Sequence, residues 1–140
     1  MTEPTVLPSP APEINPETKP FWDATLEGRF LLRHCTRCEG NHFYPRTICP
    51  FCGSFDTEWL ESTGKGVVYT YAVTRKGLGV FAEAGPYVLA MVELDEGPRF
   101  LTNIVECDPE TVRIGDRVEV VFQRTEADAA LYRFRPLAEA

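Results

Sequence analysis

Cys35-Thr36-Arg37-Cys38, then ten residues, then Cys49-Pro50-Phe51-Cys52-Gly53: the reading of the fold turns on this stretch. Each cysteine pair brackets a tight turn whose backbone amides can point at the sulfurs. Gly53 permits the positive φ that such a knuckle often needs. Two facing knuckles supply four soft ligands in a closed tetrahedron, which suits a structural zinc ion. A redox dithiol would use one pair on an α/β scaffold, and an iron site would share the same four ligands. No open coordination position is implied, so Cys35, Cys38, Cys49 and Cys52 are assigned to a metal that serves folding. His34 and His42 flank the first knuckle, but four cysteines already fill the site. Both read as outer or surface histidines.

Downstream, the chain from Trp59 onward reads as β. Gly64-Lys65-Gly66 introduces Val67 to Thr74, rich in β-branched and aromatic residues. A loop from Gly77 to Gly85 leads into Tyr87 to Leu94, and Asp95-Glu96-Gly97-Pro98 reverses the chain into Phe100 to Val105. Ile114-Gly115-Asp116 precedes the alternation of Val118, Val120 and Phe122, and Leu131 to Phe134 makes a last strand stopped by Pro136. Five short strands, with no helical period long enough to cover a parallel sheet, fit a small OB-type barrel. Cys107 stands alone at a strand end and reads as a small buried apolar residue, not a nucleophile.

Upstream, Phe21 to Leu26 followed by Gly28 reads as a short amphipathic helix with a left-handed stop. Phe21 and Trp22 are too apolar for a free surface helix, so they pack on the chain's own barrel or insert into another protein. Six prolines fall within the first twenty residues, which predicts an extended, mobile arm. The expected organisation is a disordered arm over 1–17, a helical segment over 18–34, a zinc ribbon over 35–58 and a barrel over 59–140.

The net charge of −7 is spread along the 140 residues, with no acidic tail. Such a chain has no general pull toward nucleic acid or an anionic membrane. No apolar run approaches a membrane span, and the start of the chain lacks the features of a signal peptide, so cytoplasmic residence is expected. Reduced, grouped cysteines agree with that compartment.

The order Tyr44-Pro45-Arg46-x-x-Cys49-Pro50-x-Cys52-Gly53-Ser54, then Gly64-x-Gly66-x-Val68-Tyr69, then Tyr87-x-x-Ala90-x-Val92-x-Leu94-x-x-Gly97 resembles the Zn-ribbon/OB-fold family (domain of unknown function 35). The likeness continues through Ile114-Gly115-x-x-Val118 and Phe134-Arg135-Pro136, covering roughly residues 18–137. It implies a mainly β fold: an N-terminal helical segment, a rubredoxin-like zinc ribbon and a five-stranded OB barrel. It also implies a non-catalytic accessory subunit of a thiolase-superfamily enzyme acting on acyl-CoA, such as an aldolase or acyltransferase, with steroid side-chain aldolases among the examples. A hetero-oligomer sharing an acyl-CoA channel follows from it. On that footing Arg46 and Tyr44 at the ribbon–barrel junction, and Arg135 and Phe134 on the last strand, are the candidates to face CoA. Phe21 and Trp22 are the candidate partner-binding anchors. The competing class is a single-stranded nucleic-acid-binding module, since barrels of this type serve that purpose elsewhere. Only Arg75-Lys76 and Arg133-x-Arg135 supply local basic pairs, which argues against it.

Overall fold

A computed structural model of the chain describes residues 7–137. Two β structures dominate it. The first is a three-stranded antiparallel sheet of β1 (Leu31–Cys35), β2 (Asn41–His42) and β3 (Thr57–Glu61), in the order β2-β1-β3. Cys35 ends β1 opposite Thr57, so the sheet delivers the first knuckle directly. The second is a closed barrel of β4 (Lys65–Thr74), β5 (Tyr87–Leu94), β6 (Arg99–Ile104), β7 (Arg117–Arg124) and β8 (Ala130–Pro136), in the order β4-β5-β6-β8-β7.

β6 and β8 run parallel at Ile104 and Phe134, while β7 returns antiparallel to β4 and closes the circle. Three sequential strands, with the fifth inserted before the fourth, are the OB arrangement. Alternation fills the interior: Val88, Ala90, Val92 and Leu94 of β5 point inward and are buried.

Gly66 sits at the closing seam, opposite both Leu94 and Val118. A Cβ there would run into the Glu93 carbonyl oxygen, which is backbone and cannot swing away. Gly66→Ala is therefore expected to destabilise the chain by about 1–3 kcal/mol through forced strand separation. A denaturant melt checks this, and an unchanged midpoint would refute it.

The helix α1 (Lys19–Leu26) carries Pro20 in its first turn, where the missing N–H is harmless. It ends at Gly28, whose φ of +75° lets the Arg29 N–H reach the Ala24 carbonyl (3.0 Å) and its own N–H reach that of Thr25 (3.2 Å). Thr25 donates its hydroxyl to the Trp22 carbonyl and accepts the Ala130 N–H at 3.0 Å, pinning the helix to β8.

Three expectations are corrected. The segment 18–34 is not helical throughout, because Leu31–Cys35 pairs on both sides as a strand. Thr57–Glu61 pairs with β1 in the ribbon sheet, and the first strand of the closed barrel starts at Lys65. The arm expected to be disordered is packed where it is described: Leu7 is buried, Gln123 donates to its carbonyl, and Arg133 donates to that of Pro8 at 2.7 Å. The first six residues of that arm lie outside the described residues.

The third correction concerns Phe21 and Trp22, which are 0% and 4% exposed within this chain and not free to anchor a partner. Phe21 meets Phe30, Phe43 and Tyr132 edge-on, at ring-centroid distances of 5.7, 5.5 and 5.9 Å. Helix, ribbon and barrel thus share one aromatic core. Among the described residues, no helix is long and apolar enough to cross a membrane.

Candidate metal centre and the surfaces around it

The four cysteine sulfurs lie within 4.8 Å of one another, with Cys35–Cys52 at 3.7 Å and Cys38–Cys49 at 3.6 Å. A tetrahedron of zinc–sulfur bonds has S···S edges of about 3.8 Å, so the donor set fits such an ion; a disulfide would need about 2.05 Å. Each knuckle aims N–H groups at its first sulfur: Cys38 N–H to Cys35 Sγ and Phe51 N–H to Cys49 Sγ, both at 3.4 Å. The turns close through Glu39 N–H to the Cys35 carbonyl and Gly53 N–H to that of Cys49, both 2.9 Å. Glu39 and Gly53 both take positive φ, at 66° and 77°.

The electrostatics follow from this geometry. The Cys38 N–H draws the Cys35 thiol below its ordinary range despite burial. At Cys49, burial opposes ionisation, but the N–H groups of Cys52 and Phe51 and two neighbouring sulfurs pull the thiol down to about 7. Cys38 goes the other way, to about 12: its Gly40 hydrogen bond is outweighed by desolvation and the crowd of sulfurs. Four sulfurs this close cannot all ionise without a cation between them. A metal held here supplies folding energy.

The histidines stay outside. His34 Nδ1 pairs with Asn41 Oδ1 at 2.7 Å and its Nε2 faces Glu39 at 3.3 Å, which raises its pKa, the Asn41 hydrogen bond first, against burial. His42 is buried and uses Nε2 on the Arg46 carbonyl at 3.0 Å. Cys107 is half-buried, and desolvation, then Asp108 and Asp116, push its thiol up and away from nucleophilic form.

The candidate CoA residues separate. Tyr44 is partly exposed and accepts the Trp22 Nε1–H at 3.1 Å; Arg46 is exposed two residues on. Arg135 is half-buried and shared between Glu106 and Glu119, each at 3.5 Å. Phe134 is 0% exposed and part of the core, so its assignment to a CoA-facing surface is corrected: neighbours on a strand face opposite ways.

Three residues escaped the sequence reading. Arg33 is buried with its guanidinium 4.6 Å from the Trp59 ring centroid and bonded to Thr57 Oγ1 at 2.7 Å. Glu96, in the β5–β6 turn, accepts Ser62 Oγ–H at 2.7 Å and Thr63 N–H at 2.9 Å, while its carbonyl takes Asn41 Nδ2–H at 2.9 Å. It clamps ribbon to barrel. Arg133 lines a groove of about 240 Å³ with Trp22, Leu101 and Tyr132. In the sequence it shows only as half of the basic pair Arg133-x-Arg135 in the final strand.

A four-cysteine ribbon feeding a five-stranded OB barrel defines a ribbon–OB protein. Residues 22–58 match the family model for the ChsH2 rubredoxin-like zinc ribbon domain, and 59–123 that for the ChsH2 C-terminal OB-fold domain. A "DUF35 domain-containing scaffold protein" of Methanothermobacter thermautotrophicus is 43% identical over 67% of this chain and 71% of its own length. The chain belongs to the DUF35 family. A "probable enoyl-CoA hydratase alpha subunit" of Thermomonospora curvata is 35% identical over 91% of this chain, which spans 40% of that relative's length. Among solved structures, a chain of the "Ltp2-ChsH2(DUF35) aldolase" superposes with a TM-score of 0.77 at 35% identity, covering 90% of this chain and 98% of that one.

Proposed function

We propose that this chain is a non-catalytic accessory subunit that binds a thiolase-like aldolase or acyltransferase, holds one structural zinc ion and helps form the acyl-CoA channel of the complex. The observation that carries the reading is the match, along nearly its whole length, to a chain of the "Ltp2-ChsH2(DUF35) aldolase" structure, together with the ChsH2 family models. The site chemistry supports it. The sulfurs make a closed set, and Cys107 is disfavoured as a thiolate. Arg46 and Tyr44 remain the candidates to meet CoA, being at the surface beside the ribbon. Arg135 is a weaker one because two carboxylates already hold it. A steroid acyl group is one substrate class compatible with the reading.

The test is co-expression with a thiolase-superfamily protein from the same genome. A stable hetero-oligomer is expected, with acyl-CoA lyase or transferase activity that disappears when this chain is omitted. Arg46→Ala should raise KM for the acyl-CoA several-fold without dissolving the complex. Turnover of an acyl-CoA ester by the isolated chain would overturn the accessory reading.

The nucleic-acid alternative loses ground on charge. Arg75, Arg99 and Arg117 are paired with Glu110, Glu93 and Asp95, so the barrel offers carboxylate-neutralised arginines in place of a basic groove. No binding to single-stranded DNA or RNA is expected at physiological salt. Micromolar affinity with a steep salt dependence would reverse the ranking.

A further inference from the structure

Arg133 is 3% exposed, yet among the described residues its guanidinium has no ion pair. Its partners are two neutral oxygens, Asn103 Oδ1 at 2.9 Å and the Pro8 carbonyl at 2.7 Å. A buried charge satisfied only by dipoles is costly, and burial alone depresses its pKa. Burial also depresses Arg33, the other buried arginine, but that one lies over Trp59, and Glu17 and Glu58 favour its charge. Among the described residues nothing comparable offsets Arg133. It opens instead onto the groove of about 240 Å³ whose walls include Trp22, Leu101, Leu131 and Tyr132.

We infer that this groove is a binding site for a small monocarboxylate with an apolar or aromatic body, its carboxylate on Arg133 and its body against Trp22, Leu101 and Tyr132. A guanidinium matches a carboxylate in plane and can hold it through two parallel bonds. The volume is adequate, since an apolar cavity of roughly 150 Å³ takes benzene. A phosphate dianion is a poorer match, because one cation in a largely apolar groove would leave charge uncompensated. The Pro8 carbonyl holds a place that a carboxylate fills better, exchanging a neutral acceptor for a charged one. Pro10 lines the same groove, so ligand entry shifts the proline-rich arm. Arg46 and Tyr44 do not line this groove, although Tyr44 accepts the Nε1–H of Trp22 in its wall.

The test uses the full 140-residue chain, labelled with nitrogen-15 and titrated with benzoate, benzyl alcohol or inorganic phosphate. Benzoate is expected to give saturable amide shifts at Thr102, Asn103, Tyr132 and Arg133, with Ser9 and Ala11 moving at the same affinity. Benzyl alcohol and phosphate should each bind at least tenfold more weakly. Arg133→Gln should weaken benzoate at least tenfold. Should that variant fail to fold, Leu101→Glu decides the matter: Leu101 is 59% exposed, so the fold tolerates the change, and its carboxylate would pair with Arg133 and compete at least tenfold. Equal binding of benzyl alcohol, equal or tighter binding of phosphate, an unaffected Leu101→Glu variant, or the absence of saturable shifts would each overturn the assignment.

Discussion

Cys49→Ser is expected to strip the metal from the chain and unfold the ribbon. Elemental analysis of the wild type should find close to one zinc per chain, falling to near zero in the variant. Cys49 is the buried member of the second knuckle, and its sulfur receives a backbone N–H and lies 3.6 Å from that of Cys38. The knuckle end of the ribbon has little else to hold it. β2 is two residues long, and Ile48, Phe51 and Phe55 around the knuckle are exposed. Metal affinity in such modules is folding energy, of the order of 10–16 kcal/mol in isolated finger peptides. The Glu96 clamp passes the loss to the barrel, so the melting curve of the variant should move as well. Cys107→Ser should leave the metal content unchanged, which separates loss of a ligand from loss of any thiol. Native protein that carries iron, with a visible absorption band, would contradict the zinc assignment.

The second large effect is Phe21→Ala. Removing a fully buried ring at the meeting point of helix, ribbon and barrel should cost about 3–5 kcal/mol. Against a typical stability of about 5–15 kcal/mol, that lowers Tm by roughly 10 °C or more. The measurement is a thermal melt of the isolated chain. It discriminates cleanly: an interface anchor would leave the isolated chain's Tm unchanged and weaken only the complex. An unaltered melt would return Phe21 to the partner surface.

What could be read from the residues alone was local. The knuckles are legible because spacing and turn chemistry fall within a few residues, as at Cys49-Pro50-Phe51-Cys52-Gly53. The barrel strands are legible because alternation and Gly-containing turns announce themselves over eight or ten residues. Gly28 marked the end of the helix for the same reason. The misses, with one exception, depend on partners distant in the chain. Trp59 looks like any strand residue, and only pairing with Arg33 places it in the ribbon sheet. The prolines of the arm do predict an extended chain. They cannot reveal that Arg133 and Gln123 hold its carbonyls. Phe134 and Arg135 are different: strand alternation alone forbids both from facing one ligand, so that error was avoidable from the residues themselves.

The Thr25–Ala130 hydrogen bond spans 105 positions of chain, and it bears on how the protein is made. The helix cannot dock until the last strand has left the ribosome. At about 5–20 residues per second, the intervening stretch takes on the order of 5–20 s to synthesise. For that interval Phe21 and Trp22 have no barrel to enter and are exposed to solvent or to chaperones. The ribbon suffers no such delay, since Cys35 and Cys52 are only seventeen positions apart. Metal capture can therefore precede closure of the barrel, leaving a nascent chain with a metal-loaded ribbon that still awaits the docking of α1 on β8.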